Sequence, residues 1–297
     1  MILKNFLIVI TINLNMKIVS GSSSLMLSTR ISEVMGVPMV HREIKRFPDG
    51  ECYVRIHENL DNEDIVLVQN THPDGNIIEY LLLVDAIRQY RIRSLTAVIP
   101  YFGYGRQDKR FNEGEPISAK IMAEHLSENV DRIITVNLHN SEIIKWFKVE
   151  SKEIKAEVEI ARYFERFKPD MVISPDKGSI ERARFISQIL GIPFHAFQKR
   201  RIDSERVEIE TGDIDVKNKV IAIVDDVIST GGTIATAAAL LKNKGASKVI
   251  VGCVHGLFVG NALQKMQMNV DILFSTDTIE NEKSVVTVAH LIGDSLK

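Results

Sequence analysis

Short apolar runs recur along the chain with helix-like stretches between them, and this alternation narrows the possible folds more than any other feature. The runs lie at residues 17–20, 65–68, 95–99, 133–136, 171–173, 220–224, 249–254 and 272–274. Most are continuous rather than alternating, as in strands buried on both faces of a parallel sheet. Residues 77–89, 117–127, 158–167, 180–190 and 234–242 read as helices, and 285–296 as the last one. Strands alternating with helices imply an α/β fold of mostly parallel sheets flanked by helices. In such folds ligands bind beyond the carboxyl ends of the strands, so the loops that follow the apolar runs carry the functional information.

The most informative of these loops follows 220–224 and reads VDDVISTGGT at 224–233. Two carboxylates, Asp225 and Asp226, stand where the strand is expected to end, and Ser229, Thr230, Gly231, Gly232 and Thr233 open the next helix. Backbone N–H groups and hydroxyls at a helix start hold phosphate, and carboxylates accept from sugar hydroxyls. The pattern therefore suits a phosphorylated ribose. No Lys follows the glycines, so it is not a Walker A loop, and it lacks the G-x-G-x-x-G of dinucleotide folds. A strand, an acidic pair and a glycine turn are also found in ordinary loops.

Length and charge fit an ordinary enzyme. The chain has 297 residues, 45% hydrophobic, with net charge −2. That is enough for two domains of roughly 130–150 residues each. A near-neutral balance argues against a general nucleic-acid coat. Cys52 and Cys253 are far apart and show no metal-type spacing, as expected in a reducing compartment. The apolar run at 6–12 behind Lys4 is too short to span a bilayer. A signal peptide cleaved near Ser20 would remove the first strand, so 1–15 is read as an N-terminal extension with Met16 as the functional start. The charged stretch 148–155 marks the expected boundary, giving domains at 16–150 and 151–297. The loop after 95–99 looks like the first-half counterpart of the loop after 220–224, a hint of duplication.

Four further segments concentrate functional side chains. Phe47, Asp49, Gly50 and Glu51 form part of FPDGE, either a surface turn or a stacking ring beside two acceptors for an amino-bearing base. PYFGYGRQDKR at 100–110 mixes aromatics, glycines and cations, and its arginines suit polyphosphate because the guanidinium fork binds two oxygens. His139 and Asp176 follow neighbouring apolar runs, where they are either structural or suited to a magnesium ion, for which histidine is an atypical ligand. Lys199 and Arg201 begin a run of alternating charge, either a solvated hairpin or a flap closing over polyphosphate.

Together these segments resemble the ribose-phosphate pyrophosphokinases, also called phosphoribosyl diphosphate synthetases. FPDGE, PYFGYGRQDKRF, EPISAKIMAEHL, ITVNLH, VISPDKGSIERAR, the KRR flap and VDDVISTGGT occur in that family's order, from about Met16 almost to the C-terminus. The resemblance implies two phosphoribosyltransferase-like domains and transfer of the β,γ-diphosphoryl group of ATP to the anomeric hydroxyl of ribose 5-phosphate. It implies magnesium, a cytoplasmic homo-oligomer built from dimers, and no nucleic-acid or membrane partner. By match, Phe47, Asp49, Gly50 and Glu51 reach ATP across a subunit interface, and Arg106 and Gln107 bind it. His139 and Asp176 match magnesium positions. Lys199 matches the catalytic lysine, with Arg201 as its companion, which also reaches ribose 5-phosphate. Asp225 and Asp226 match the acidic pair at the ribose hydroxyls, and 229–233 the 5-phosphate loop. Asn137 and Ser229 stand where the commonest pattern has Asp, so an anionic group near the metal is expected to be missing. A phosphoribosyltransferase would share the 224–233 loop but would not need 47–51 or 106–107. A non-catalytic homologue would be expected to have an altered flap.

Overall fold

The computed structural model describes residues 15–201 and 207–297, without the side chains of 199–201 and 207–210. The extension expected at 1–15, apart from Asn15, and the middle of the expected flap lie outside the described residues. In chain order the first half holds β1 (Met16–Ser20), α1 (Leu25–Met35), β2 (Arg42–Arg46), β3 (Cys52–Ile56), β4 (Asp64–Val68), α2 (Asp74–Arg88), β5 (Ser94–Ile99), α3 (Ser118–Leu126), β6 (Arg132–Val136) and β7 (Glu150–Ile154). The second holds α4 (Glu157–Glu165), β8 (Met171–Ser174), α5 (Ile180–Leu190), β9 (Phe194–Ala196), β10 (Gln198–Arg201), β11 (Val207–Glu210), β12 (Val220–Ile228), α6 (Gly232–Asn243), β13 (Lys248–Gly256), α7 (Ala262–Gln267), β14 (Ile272–Thr276), β15 (Ser284–Val286) and α8 (Ala289–Leu296).

The apolar runs are strands of two sheets. A five-stranded sheet has the order β1-β4-β5-β6-β7 and a six-stranded one the order β15-β14-β13-β12-β8-β9, each parallel throughout. Period-two alternation explains the continuous apolar runs. In β4, Val66 and Val68 face one core while Ile65 and Leu67 face another. In β12, Ala222 and Val224 join the same core as Val66, while Ile221 and Ile223 turn to a third. One hydrophobic core is therefore shared between the two sheets, filled by Leu27 and Ile31 of α1, Ile160 and Phe164 of α4, and Ile292 of α8. α2 and α3 cover the outer face of the first sheet, and α6 and α7 that of the second.

Both halves share one strand plan, with an antiparallel hairpin between the first and second long strands. The hairpin is β2–β3 in the first half and β10–β11 in the second. This corrects the expected duplication: β4 is the topological counterpart of β12, while β5 corresponds to β13. Two further expectations change. Residues 284–286 add a strand to β14, so the last helix begins at Ala289. β7 pairs with β6 up to Ile154, so the first sheet runs past the boundary expected at 150/151. α8 returns to the first half, where a Cβ on Gly293 would lie 3.2 Å from Val34 and Arg132 donates to the Ser295 carbonyl at 3.1 Å. Among the described residues no helix is long and apolar enough to cross a membrane.

Candidate active site

Loops from the carboxyl ends of both sheets meet around a cavity of about 540 Å³. Arg106 and His139 line it from the first half, and Asp176, Asp225, Asp226 and residues 229–233 from the second. β12 builds its centre. Pairing with β8 stops at Ile223, but pairing with β13 continues to Ile228. The acidic pair therefore lies inside a strand that has lost one neighbour, and not at the strand's end as the sequence suggested.

The two carboxyls are shifted in opposite directions. Asp225 Oδ1 accepts from the Ser179 hydroxyl at 2.5 Å and from the Asp226 N–H at 2.9 Å. Burial, reinforced by the adjacent Asp226 charge, pushes the Asp225 pKa up to about 7. Burial acts on Asp226 in the same direction, but the hydrogen bond from His139 and the charge of Arg182 outweigh it. His139 Nδ1 lies 2.6 Å from Oδ2, Arg182 lies 3.9 Å from Oδ1, and the Asp226 pKa falls below the usual carboxylate range. The hydrogen bond to Asp226 also raises the His139 pKa against the effect of burial. An ionised carboxylate only accepts, so His139 Nδ1–H is the donor.

Beyond β12 the chain turns through Ser229 and Thr230 to Gly231, whose φ of 71° is the left-handed conformation that favours glycine. A Cβ there would also lie 3.2 Å from the Ala262 carbonyl. α6 starts at the next residue without a side-chain cap, so its first turn opens on the cavity. The Val259 N–H donates to the Ser229 carbonyl at 3.0 Å and holds the loop from the β13 side.

A second cavity of about 370 Å³ adjoins the first and shares Arg106 and Ser229 with it. Gln107 lines it, with Tyr101 and Tyr104. The Gln107 side chain accepts from the Ser118 hydroxyl, and its backbone carbonyl accepts from Ala119 N–H at 3.2 Å. The loop is closely packed: a Cβ on Gly103 would lie 2.4 Å from the Thr71 carbonyl oxygen.

Phe47, Asp49, Gly50 and Glu51 are not brought to either cavity. They form the tip of the β2–β3 hairpin, where Phe47 is 44% exposed and meets Tyr53 edge-on at 5.9 Å. Asp176 lines the main cavity, and its carboxylate accepts from Gly178 N–H at 3.0 Å. Lys199 and Arg201 fall in β10, with their side chains outside the described residues.

Sequence reasoning assigned no role to several groups that shape the site. Ser179 and Arg182 lie in the same VISPDKGSIERAR segment as Asp176, on the turn and helix that follow it. His255 is fully buried in β13, its Nε2 3.1 Å from the Asn137 carbonyl and its Nδ1 2.8 Å from Thr278. Burial lowers its pKa to about 4, so it is neutral and joins the halves as a donor through Nε2–H. Glu157 gave no signal. It lies against Asn137, whose amide is engaged there and does not point to the cavity as the expected anionic position would.

A family model for the N-terminal domain of ribose phosphate pyrophosphokinase matches residues 16–129, and one for the phosphoribosyl transferase domain matches 139–292. The curated ribose-phosphate pyrophosphokinase of Thermoplasma volcanium is 41% identical over 273 residues, covering 92% of this chain and 96% of that protein. The chain belongs to the ribose-phosphate pyrophosphokinases. The Methanothermobacter thermautotrophicus member is 39% identical over 284 residues, covering 94% of this chain and 99% of its own. The crystal structure of phosphoribosylpyrophosphate synthetase from Mycobacterium smegmatis superposes with a TM-score of 0.83 at 27% identity, over 95% of this chain and 97% of that one. The family resemblance and the fold of two phosphoribosyltransferase-like domains expected from the sequence both hold.

Proposed function

We infer that the chain transfers the β,γ-diphosphoryl group of ATP to the anomeric hydroxyl of ribose 5-phosphate, giving 5-phosphoribosyl 1-diphosphate and AMP. The observation that carries this reading is the joining of two cavities at Arg106 and Ser229. One presents an acidic pair and a helix start to a sugar phosphate, and the other presents Arg106 and Gln107 to a nucleotide. A phosphoribosyltransferase would need only the first, whereas the curated relatives match across both halves.

In the proposed site, Ser229, Thr230, Gly231, Gly232 and Thr233 hold the 5-phosphate. Asp225 and Asp226 accept from the ribose hydroxyls. Arg106 and Gln107 bind ATP, and Phe47, Asp49, Gly50 and Glu51 hold the adenine of a neighbouring chain's ATP. That last assignment is supported by the hairpin tip, exposed and away from its own cavity. An assembly built from dimers and a cytoplasmic location belong to the same reading, the latter in keeping with Cys52 and Cys253 as free thiols.

Among the described residues no three His, Cys, Asp or Glu side chains converge as a ready cation cage. The donors fit magnesium nonetheless, because that ion keeps several waters and takes one or two carboxylates plus substrate phosphates. Asp176 and His139 would hold it at the cavity rim, where it would neutralise phosphate charge. The protein's part is positioning and charge. The helix start fixes the ribose, Arg106 orients the phosphates, and Lys199 and Arg201 close from the β10–β11 hairpin. A lysine about 4 Å from developing charge contributes about 4 kcal/mol at an effective dielectric near 20. That corresponds to roughly a thousandfold in rate, before losses from geometry. Late closure also excludes water that would hydrolyse ATP.

Two substitutions test the assignment of the cavities. Asp226→Asn should raise KM for ribose 5-phosphate, and Arg106→Ala should raise KM for ATP, each about tenfold or more. Equal changes in both constants for both variants would contradict the two-cavity assignment.

A further inference from the structure

Asn137 stands where the family resemblance leads one to expect an aspartate. Its Oδ1 accepts from Ala156 N–H at 2.7 Å, and its Nδ2 donates to Glu157 Oε1 at 2.6 Å. Both residues are buried. The same Glu157 oxygen accepts from Arg182 Nε at 3.2 Å, and Arg182 extends towards Asp226, reaching 3.9 Å. Asp226 holds His139 through its other oxygen. The contacts close a ring that leaves the loop after β6 at Asn137, passes through α4, α5 and β12, and returns at His139. An aspartate at 137 would set two carboxylates against each other at this distance, whereas an amide donates. The negative charge expected at 137 is thus carried one side chain away, at Glu157.

The distances suggest what that charge does. Arg182 is only 11% exposed, so it needs an anionic partner. Two carboxylates compete for it. Glu157 has it in hydrogen-bond contact, and Asp226 Oδ1 remains beyond that range. Glu157 Oε2 is buried with no hydrogen-bond partner among the described residues, an arrangement that costs stability. We propose that Glu157 is a positioning residue that draws Arg182 away from Asp226 and so leaves Asp226 Oδ1 open to a ribose hydroxyl, with Asn137 as the donor that permits the buried carboxylate. Without a carboxylate in the Asn137–Glu157 pair, Arg182 would close on Asp226 and occupy that oxygen. The proposal rests on the reading that Asp226 accepts from ribose.

The test compares the full-length parent with Asn137→Asp, Glu157→Gln and the double exchange Asn137→Asp/Glu157→Gln. Glu157→Gln should raise KM for ribose 5-phosphate about tenfold while KM for ATP changes by less than about twofold. The double exchange restores one carboxylate and one amide to the pair and should bring KM for ribose 5-phosphate within about threefold of the parent. A purely structural role would lower the melting temperature and the active fraction and leave both KM values unchanged. That result, or a double exchange no better than Glu157→Gln, overturns the proposal. Should Glu157→Gln not fold, the double exchange, compared with the parent and Asn137→Asp, still decides. Asp226→Asn separates the two layers: if it leaves KM for ribose 5-phosphate unchanged, the ribose reading itself falls. If it raises that KM and Glu157→Gln does not, the positioning role alone falls.

Discussion

Replacing Asp225 by asparagine should stabilise the protein, and the gain should grow with pH. Asparagine keeps an oxygen for the Ser179 hydroxyl and the Asp226 N–H, so the packing and both hydrogen bonds survive. Only the buried charge is removed. The Asp225 pKa is pushed up to about 7 by burial and then by Asp226. A carboxyl with a folded pKa above its unfolded value makes the protein lose stability as pH rises from the unfolded value, about 3.9, to the folded one, and little changes beyond. Three pKa units correspond to about 4 kcal/mol as an upper bound above pH 8. Linkage gives about 2 kcal/mol at pH 5.5, so the advantage of the variant should widen by about 2 kcal/mol between pH 5.5 and 8.5. For a chain of this length that increment is about 3 °C in melting temperature. Thermal melts of both proteins at the two pH values, with chelator and without substrates, measure it. An advantage that shrinks or stays level with pH would refute the assignment of a buried carboxyl forced to ionise. The same variant should bind ribose 5-phosphate more weakly, making the stability gain the counterpart of lost function.

Lys199→Ala should lower turnover by about two to four decades while ribose 5-phosphate still binds, as read by steady-state rates and calorimetric titration. Turnover within about threefold of the parent would remove the lysine from the chemistry. Gly103→Ala drives a methyl group into the Thr71 carbonyl and should cost about 1–3 kcal/mol and raise KM for ATP through the adjoining Arg106 and Gln107; an unchanged melting temperature and KM would contradict the close packing of that loop. If the 47–51 hairpin serves a neighbouring chain, dilution to monomer should abolish turnover, and a monomer fully active in sedimentation-checked assays would contradict the shared site.

Strands and loops were legible in the sequence because strands buried on both faces leave continuous apolar runs, and the loops after them carry compact motifs. Val285 and Val286 misled because a short apolar run serves helix or strand alike; pairing of 284–286 with β14 decides it. The place of Asp225 and Asp226 inside β12 was hidden for a related reason. A strand with one edge paired continues through polar residues, and sequence does not show where the other neighbour stops. Asn137 read as a lost charge because its partner Glu157 is 20 residues away and only the packing of α4 brings it close. His255 gave no signal at all, since its role depends on contact with a loop 118 residues away.

The most direct measurement follows both products by phosphorus NMR after the protein is mixed with ATP, ribose 5-phosphate and magnesium. The account predicts AMP and a diphosphate on the anomeric carbon in equal amounts, with no AMP when ribose 5-phosphate is omitted. ADP with a singly phosphorylated anomeric carbon, or AMP formed without the sugar, would contradict it.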